Sequence, residues 1–300
     1  MQALPTPTDP APRQRILRLD LPDDGPPVVA HDDFYSDRVR CDHPPVGTDG
    51  LALGDALIEA AGALHRGRVV VLAPAPLADG LTDAGLTQEA VIPGFYGGTG
   101  DCVVHGFFTD LARGELARPD EVAGIRALLD QRPRARARAH VVTTRATAQD
   151  ASAIADLIAD TFDHYPTPSG VPDYIAEAIE DGVPFRFVRE GGEMVACASA
   201  DLVPSARTAE LTDCATRPAS RGRGYMQAIL TDLMDDLRDM DYPTAFTLAR
   251  ARVPGVNLAF QRLGFALHGT MVNSCRIGGG LEDMNIWSRH LDEQAARLSA

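Results

Sequence analysis

Two acidic residues and a basic glycine turn are the side chains whose types and spacing could do chemistry in this chain. Glu210 and Asp213 stand in TAELTDCAT, where alternation and β-branched residues predict a half-buried strand over 208–216. A carboxylate there can take a proton from a bound group, directly or through water. Residues three apart on a regular strand point to opposite faces, so both acids reach one cleft only through a β-bulge. Glu210 is the expected base and Asp213 the expected anchor for a cationic group. The plain alternative for each is a solvated or hydrogen-bonded strand carboxylate.

The turn follows at once: Arg221-Gly222-Arg223-Gly224, then Tyr225 and Met226 opening a helix. Glycines permit positive φ and close approach of a ligand to the main chain. The first amides of the helix have no partner of their own, and the helix dipole favours an anion there. Arg221 and Arg223 can add charge-assisted contacts. Such a turn suits a phosphate or pyrophosphate. The apolar residues Met226, Ile229, Leu230, Leu233, Met234 and Leu237 draw one stripe on the helix, leaving Asp232, Asp235, Asp236 and Asp239 for water.

The 300 residues suggest two domains and are enough for a full core. Net charge is −14, from 28 basic and 42 acidic residues, so nucleic acid and anionic membrane are poor partners. Every basic residue is arginine: the chain has no lysine, which excludes a Walker-type phosphate lysine and a pyridoxal Schiff base. That bias reads as a GC-rich genome, alone or with a salty cytoplasm. Cys41, Cys102, Cys197, Cys214 and Cys275 form no CxxC pair, so neither a zinc site nor a disulfide framework is expected, no metal is assigned, and a reducing cytoplasm fits. Cys214 reads as a small packing residue rather than a nucleophile, and His164 and His268 as solvated. No apolar run approaches the roughly 20 residues of a membrane span.

In chain order, residues 1–14 are proline-rich and read as a disordered leader. Residues 15–131 make a small α/β domain: short strands over 16–40, a helix at 51–65, a buried strand at 68–74, a short helix at 77–84 closed by Gly85, paired strands near 87–96 and 101–108, and a helix at 119–131. The arginine-alanine run at 132–139 reads as a solvated linker. A second unit, 140–300, follows in the order β-α-α-β-β-β-α-β-α-β-β. It opens with VVTTRA as a strand, and Thr147 with Asp150 caps its first helix.

The turn, the helix and this order resemble the GCN5-related N-acetyltransferase (GNAT) superfamily, whose Gln/Arg-x-x-Gly-x-Gly/Ala motif holds the pyrophosphate of coenzyme A. Gly222 and Gly224 match its glycines, and Ala219 departs from its first position. Further motifs are similar to those of the β-lysine N-acetyltransferases of methanogens and some bacteria: Tyr165-Pro166, Glu210 to Asp213, Ala249 to Ala251, and Asn273 through Trp287, with FYSDRVR and VIPGFYGG in the first unit.

The resemblance implies a mixed, mostly antiparallel sheet flanked by helices, with a smaller N-terminal α/β domain that could be a degenerate unit of the same fold. It implies acetyl transfer from acetyl-CoA to the ε-amine of β-lysine, giving a compatible solute, with a lysine 2,3-aminomutase upstream. Coenzyme A contacts are expected from Ala215, Thr216, Arg221, Gly222, Arg223, Gly224, Tyr225, Met226, Asn257 and Phe260, with Ala215 and Thr216 amides also binding the carbonyl oxygen. Phe260 stands where the family often has a tyrosine acid, a departure that a thiolate leaving group tolerates. Arg250 is expected to hold the substrate carboxylate, with Tyr165, Asn273, Asp283, Asn285 and Trp287 as wall residues. Arg250 could equally be a satisfied sheet-edge arginine and Trp287 a core residue. A homodimer is compatible with this reading. The rivals are an acetyltransferase for another small amine, a non-catalytic acetyl-CoA or amino-acid sensor, and a phosphate-binding module of another fold.

Overall fold

The computed structural model describes residues 6–22, 26–116, 118–131 and 141–291. The expected linker at 132–139 lies outside them. In the first unit, β1 (Arg15–Leu19), β2 (Val28–Asp33), β3 (Arg38–Asp42), β4 (Arg68–Pro74), β5 (Thr87–Tyr96) and β6 (Gly100–Phe108) form a sheet in the order β1-β2-β3-β4-β6-β5. Helix α1 (Gly50–Ala63) makes the crossover between the parallel strands β3 and β4, α2 (Ala78–Asp83) follows β4, and α3 (Pro119–Asp130) follows β6. Strand β4 reads RVVVLAP without alternation because both its faces are covered. Val69 and Val71 pack on α1 through Leu53 and Leu57, whereas Val70 and Leu72 turn to the second unit.

The second unit runs β7 (Thr144–Arg145), α4 (Ala151–Thr161), α5 (Pro172–Glu180), β8 (Phe185–Glu190), β9 (Glu193–Val203), β10 (Thr208–Thr216), α6 (Tyr225–Asp239), β11 (Thr244–Arg250), α7 (Pro254–Arg262), β12 (Ala266–Ile277) and β13 (Gly280–His290). Its sheet order is β12-β13-β11-β10-β9-β8-β7, antiparallel except for β10 and β11, which α6 connects. The capping box of Thr147 and Asp150 precedes α4 as its sequence predicts. The VVTTRA strand is shorter than expected, with only Thr144–Arg145 laddered, to β8.

The two sheets share a connectivity. β1-β2-β3-α1-β4-α2-β5-β6 pairs in the same order as β8-β9-β10-α6-β11-α7-β12-β13, with the parallel pair at the same place.

The units meet in one apolar core. Ile92, Phe95 and Val104 of the first sheet pack with Phe246, Met271, Met284 and Ile286 of the second, and the Phe95 and Phe246 rings lie 5.2 Å apart. Buried arginines bolt the seam. Arg38 spans from Asp33 (2.7 Å) to the Ser274 carbonyl (2.7 Å), and Arg113 donates to the carbonyls of Ser36 (2.7 Å) and Asn273 (3.0 Å).

Two expectations change here. Residues 6–14 are ordered against the second unit rather than a free leader. Buried Arg13 donates to the Tyr165 carbonyl at 3.1 Å and to the Thr6 carbonyl at 2.7 Å, and the Gly170 amide donates to Pro7 O. The guanidinium overrides the proline-rich composition because it satisfies several carbonyls at once. Asp236 is buried instead of facing water, since Arg186 on β8 grips both its oxygens at 2.6 and 2.7 Å.

Candidate active site

The site begins where two parallel strands part. β10 and β11 pair at Thr208 to Glu210 against Thr244 to Phe246, and beyond that rung the strands diverge. Glu210 therefore sits at the fork, and the Leu248 amide on the far strand donates to its carboxyl. Two residues farther along β10, the register against β9 shifts between Thr212 and Ala215. Asp213 takes φ +50 at this bulge, which turns its carboxylate to the same face as Glu210. Ser199 Oγ (2.8 Å) and Ser169 Oγ (3.3 Å) donate to it, and the Tyr165 hydroxyl also bonds it. Asp201, the β9 register partner of Glu210, adds a third carboxyl to this face.

Crowded acids in a partly enclosed cleft hold their protons longer. Burial pushes Glu210 up to about 7; Arg40 pulls it back, while Asp42 and Asp213 push further. Burial also raises Asp213, against the bonds from Ser199, Tyr165 and Ser169. Enclosure and the charges of Asp213 and Glu210 raise Asp201, and a hydrogen bond with Ser199 offsets part of that. The Cys214 thiol is pushed up to about 12 by burial and the same two acids, which leaves it inert.

Above the fork, Gly222 (φ +78) and Gly224 (φ +86) shape the turn, and Gly224 in the left-handed region is the N-cap of α6. No side chain caps this helix, so the amides of Tyr225, Met226 and Gln227 are open to an anion. Arg221 donates to the Thr216 carbonyl at 3.3 Å, and Arg223 pairs with Glu190. The equivalent place in the first unit is closed twice over. Asp49 caps α1 by accepting from the Leu51 (2.9 Å) and Ala52 (3.2 Å) amides, and β3 pairs with β4 along its whole length from Arg38 to Asp42.

The first unit supplies the wall opposite Glu210. Arg40 and Asp42 are register partners of Val70 and Leu72, which face the second sheet in the core containing Phe246. Phe246 is in turn the register partner of Glu210. Arg40 and Asp42 thus face Glu210 across the seam, bonded to each other from Arg40 Nε at 2.8 Å. Burial works against the Arg40 charge, but Asp42, then Glu210 and Asp33, more than offset it.

Several sequence-derived site residues lie elsewhere. Asn257 is 0% exposed and saturated: it donates to the Arg250 (2.9 Å) and Val253 (2.8 Å) carbonyls, and its Oδ1 accepts from Asn285 (2.9 Å) and Trp287 (3.0 Å). It is a packing knot rather than a coenzyme contact. Phe260 is buried against Phe265 in the helix-side core. Asn285 and Trp287 fail as wall residues by strand parity. Odd positions of β13 face α7, whereas Met284 and Ile286 face the seam. Asn273 sits in a bulge of β12 (φ +45) and donates its side-chain amide to the Arg113 and Glu115 carbonyls, joining the two units, while its backbone amide donates to Asp283 of the neighbouring β13. Arg250 is on the seam face with Nη2 2.6 Å from Glu282, which Arg252 also clasps, while its buried Nε has no partner. His268 is bonded to Ser288 Oγ (2.8 Å) instead of solvated. Tyr165, Glu210 and Asp213 do converge, below the turn 221–226 and the Ala215-Thr216 end of β10.

Arg40, Asp42, Asp201, Ser169 and Ser199 escaped the sequence reading. RVRCD alternates charged and apolar residues, a one-sided polar strand face that was legible. Asp201 follows from counting back across the turn that joins β9 to β10.

Residues 151–265 match the Acetyltransferase (GNAT) family. Beta-lysine N(6)-acetyltransferase of Methanosarcina mazei is 34% identical over 264 residues, covering 80% of this chain and 97% of that protein. The chain belongs to the GNAT acetyltransferase family. N-acetyltransferase YodP of Bacillus subtilis is 29% identical over 269 residues, 88% of this chain and 96% of its own length. A second Beta-lysine N(6)-acetyltransferase, from Methanococcus maripaludis, is 29% identical over 138 residues, 46% of this chain and 50% of that protein. This GNAT enzyme is an N-acetyltransferase that takes its acetyl group from acetyl-CoA and passes it to an amine. Among the described residues no helix is long and apolar enough to cross a membrane.

Proposed function

We propose that the enzyme acetylates the ε-amine of β-lysine, with Glu210 as general base. The observation that carries this reading is the position of Glu210: at the fork of β10 and β11, near a donor turn on one side and faced by Arg40 and Asp42 on the other. Similarity to the relatives named for β-lysine supports the choice of acceptor.

The uncapped amides of Tyr225, Met226 and Gln227, with the turn at Gly222 and Gly224, would hold the diphosphate of acetyl-CoA. The thioester arm then lies in the fork, where Ala215 and Thr216 stand beyond the last paired rung and their amides are the candidate donors to the carbonyl oxygen. A primary ammonium of pKa about 10.4 must lose a proton before it can attack. An acid pushed up to about 7 is well matched to receive that proton near neutrality. Asp213, locked by its serines and Tyr165, holds the incoming ammonium beside Glu210. The amine nitrogen bonds the acetyl carbon, the carbon–sulfur bond breaks, and the thiolate leaves. Phe260 offers it no proton, and at a thiol pKa of about 8.5 it needs none from a side chain.

The product has lost one positive charge, which suits a compatible solute, and a lysine 2,3-aminomutase is the enzyme that supplies β-lysine. Five free cysteines agree with a reducing cytoplasm. The repeated connectivity of the two sheets supports reading the first unit, 15–131, as a degenerate copy of the acetyltransferase fold that has lost its donor site. Incubation with β-lysine and acetyl-CoA, followed by mass spectrometry, tests the function. One acetyl on the ε-nitrogen with equimolar thiol release is expected. Thiol release with other amines but none with β-lysine overturns the acceptor.

A further inference from the structure

The first unit has no donor site, yet it presents a charged strand face to the reaction centre. Counting the cations near Glu210 shows why this matters. Arg250 is held by Glu282, Arg38 by Asp33 and the Ser274 carbonyl, and Arg13 by the carbonyls of Thr6, Asp9, Ala11 and Tyr165. Arg40 differs. Its bond to Asp42 uses the Nε edge, so its terminal amino groups are the donors left for a ligand.

His31, the β2 register partner of Arg40, shares its sheet face. Arg40 and Asp42 side chains are 25% and 24% exposed, open enough to be reached and closed enough to matter.

We propose that Arg40 and Asp42 form the acceptor clamp: the Arg40 guanidinium takes the substrate carboxylate, Asp42 takes the neighbouring ammonium, and the distal amine is left to reach Glu210. This rests on the reading that the acceptor is a diamino acid. The clamp selects for a zwitterionic head because each charge of the ligand meets its opposite in a pair already aligned on one strand face. A diamine without a carboxylate leaves Arg40 unanswered, and an amine without the second ammonium leaves Asp42 paired only to Arg40. The degenerate unit would then be the specificity half of the enzyme, with the second unit carrying the donor and the base.

The test compares β-lysine with pentane-1,4-diamine, the same molecule lacking its carboxylate, by thiol release at saturating acetyl-CoA. Wild-type enzyme should strongly prefer β-lysine. Arg40→Gln should raise KM for β-lysine about 30-fold or more, leave KM for the diamine within about threefold, and leave KM for acetyl-CoA unchanged. Arg40→Lys, which keeps the charge beside Asp42, should recover part of the loss and guards against a folding defect. Equal losses on both acceptors, or an unchanged KM for β-lysine, would overturn the clamp. If wild-type enzyme ignores β-lysine but accepts another carboxylated amine, only the acceptor assignment fails, and the same comparison on that amine and its decarboxylated form decides the clamp. If it accepts only carboxyl-free amines, both fail.

Discussion

Glu210 and Phe246 are register partners in the last rung before β10 and β11 separate, so the acid at the fork and the ring at the centre of the inter-unit core lie side by side on one sheet face. Packing of the first unit on Phe246 is what encloses Glu210 and raises its pKa. The raised pKa of Glu210 and the union of the two units are therefore a single structural fact.

The rate should follow that acid. The kcat/KM profile for the amine should show a rising limb centred on about pH 7, because Glu210 must be ionised to accept a proton. Glu210→Gln should lower kcat/KM by about 10²- to 10⁴-fold and abolish the limb. A limb that survives the substitution assigns the base elsewhere.

Stability should move the opposite way. Glu210 is shifted from an ordinary 4.5 to about 7, so between those values the folded chain binds more protons than the unfolded chain. Stability conferred by the protonated form is lost as pH rises through that window. Glu210→Gln, which cannot ionise, should be more stable than wild type at pH 8 by about 1 to 3 kcal/mol, and no more stable at pH 4. Urea melts at the two pH values measure this.

Gly224 holds φ +86 at the start of α6. Gly224→Ala should cost about 1–2 kcal/mol in this conformation. It should also raise KM for acetyl-CoA about tenfold by misaligning the amides, with the amine KM unmoved. An unchanged donor KM would remove the turn from the coenzyme site.

Asn257 joins α7 to β11 and β13 through four hydrogen bonds. Asn257→Ala leaves the Trp287 and Asn285 donors unpaired and takes one of two donors from the Arg250 carbonyl, a loss of about 3 kcal/mol. Donor KM, measured at a temperature where the variant remains folded, should match wild type. A selective rise in donor KM would restore Asn257 to the coenzyme site.

Asp236 and Arg186 make a bidentate pair beneath α6. Asp236→Ala leaves Arg186 only Thr143 and the more distant Asp232, and should cost about 2 kcal/mol in chemical denaturation. A loss within 0.5 kcal/mol would mark the pair as solvated.

Much of this was legible in the sequence because local patterns carried it. Alternation fixed β10, the three-and-four spacing fixed α6, and the glycine pair marked the tight turn that opens it. Even the bulge at Asp213 followed from asking how two acids three apart could share a cleft. What failed was long-range. Asn257, Asn273, Asp283 and Asn285 are polar, clustered and motif-borne, yet each spends its hydrogen bonds on neighbours whose identity only the tertiary fold reveals. Arg250 pairs with Glu282, 32 positions away, a partner that no local pattern announces. Arg40 was overlooked because no local pattern says that a strand of one unit faces the fork of the other.

Gly269 on β12 lies so close to β5 that any side chain there would strike the Glu89 carbonyl and the Ala90 methyl. At that point the halves touch backbone to backbone, with no room for a slip plane. An exchange of either half for that of another protein must reproduce this contact, and substitutions that alter acceptor preference act within the same frame.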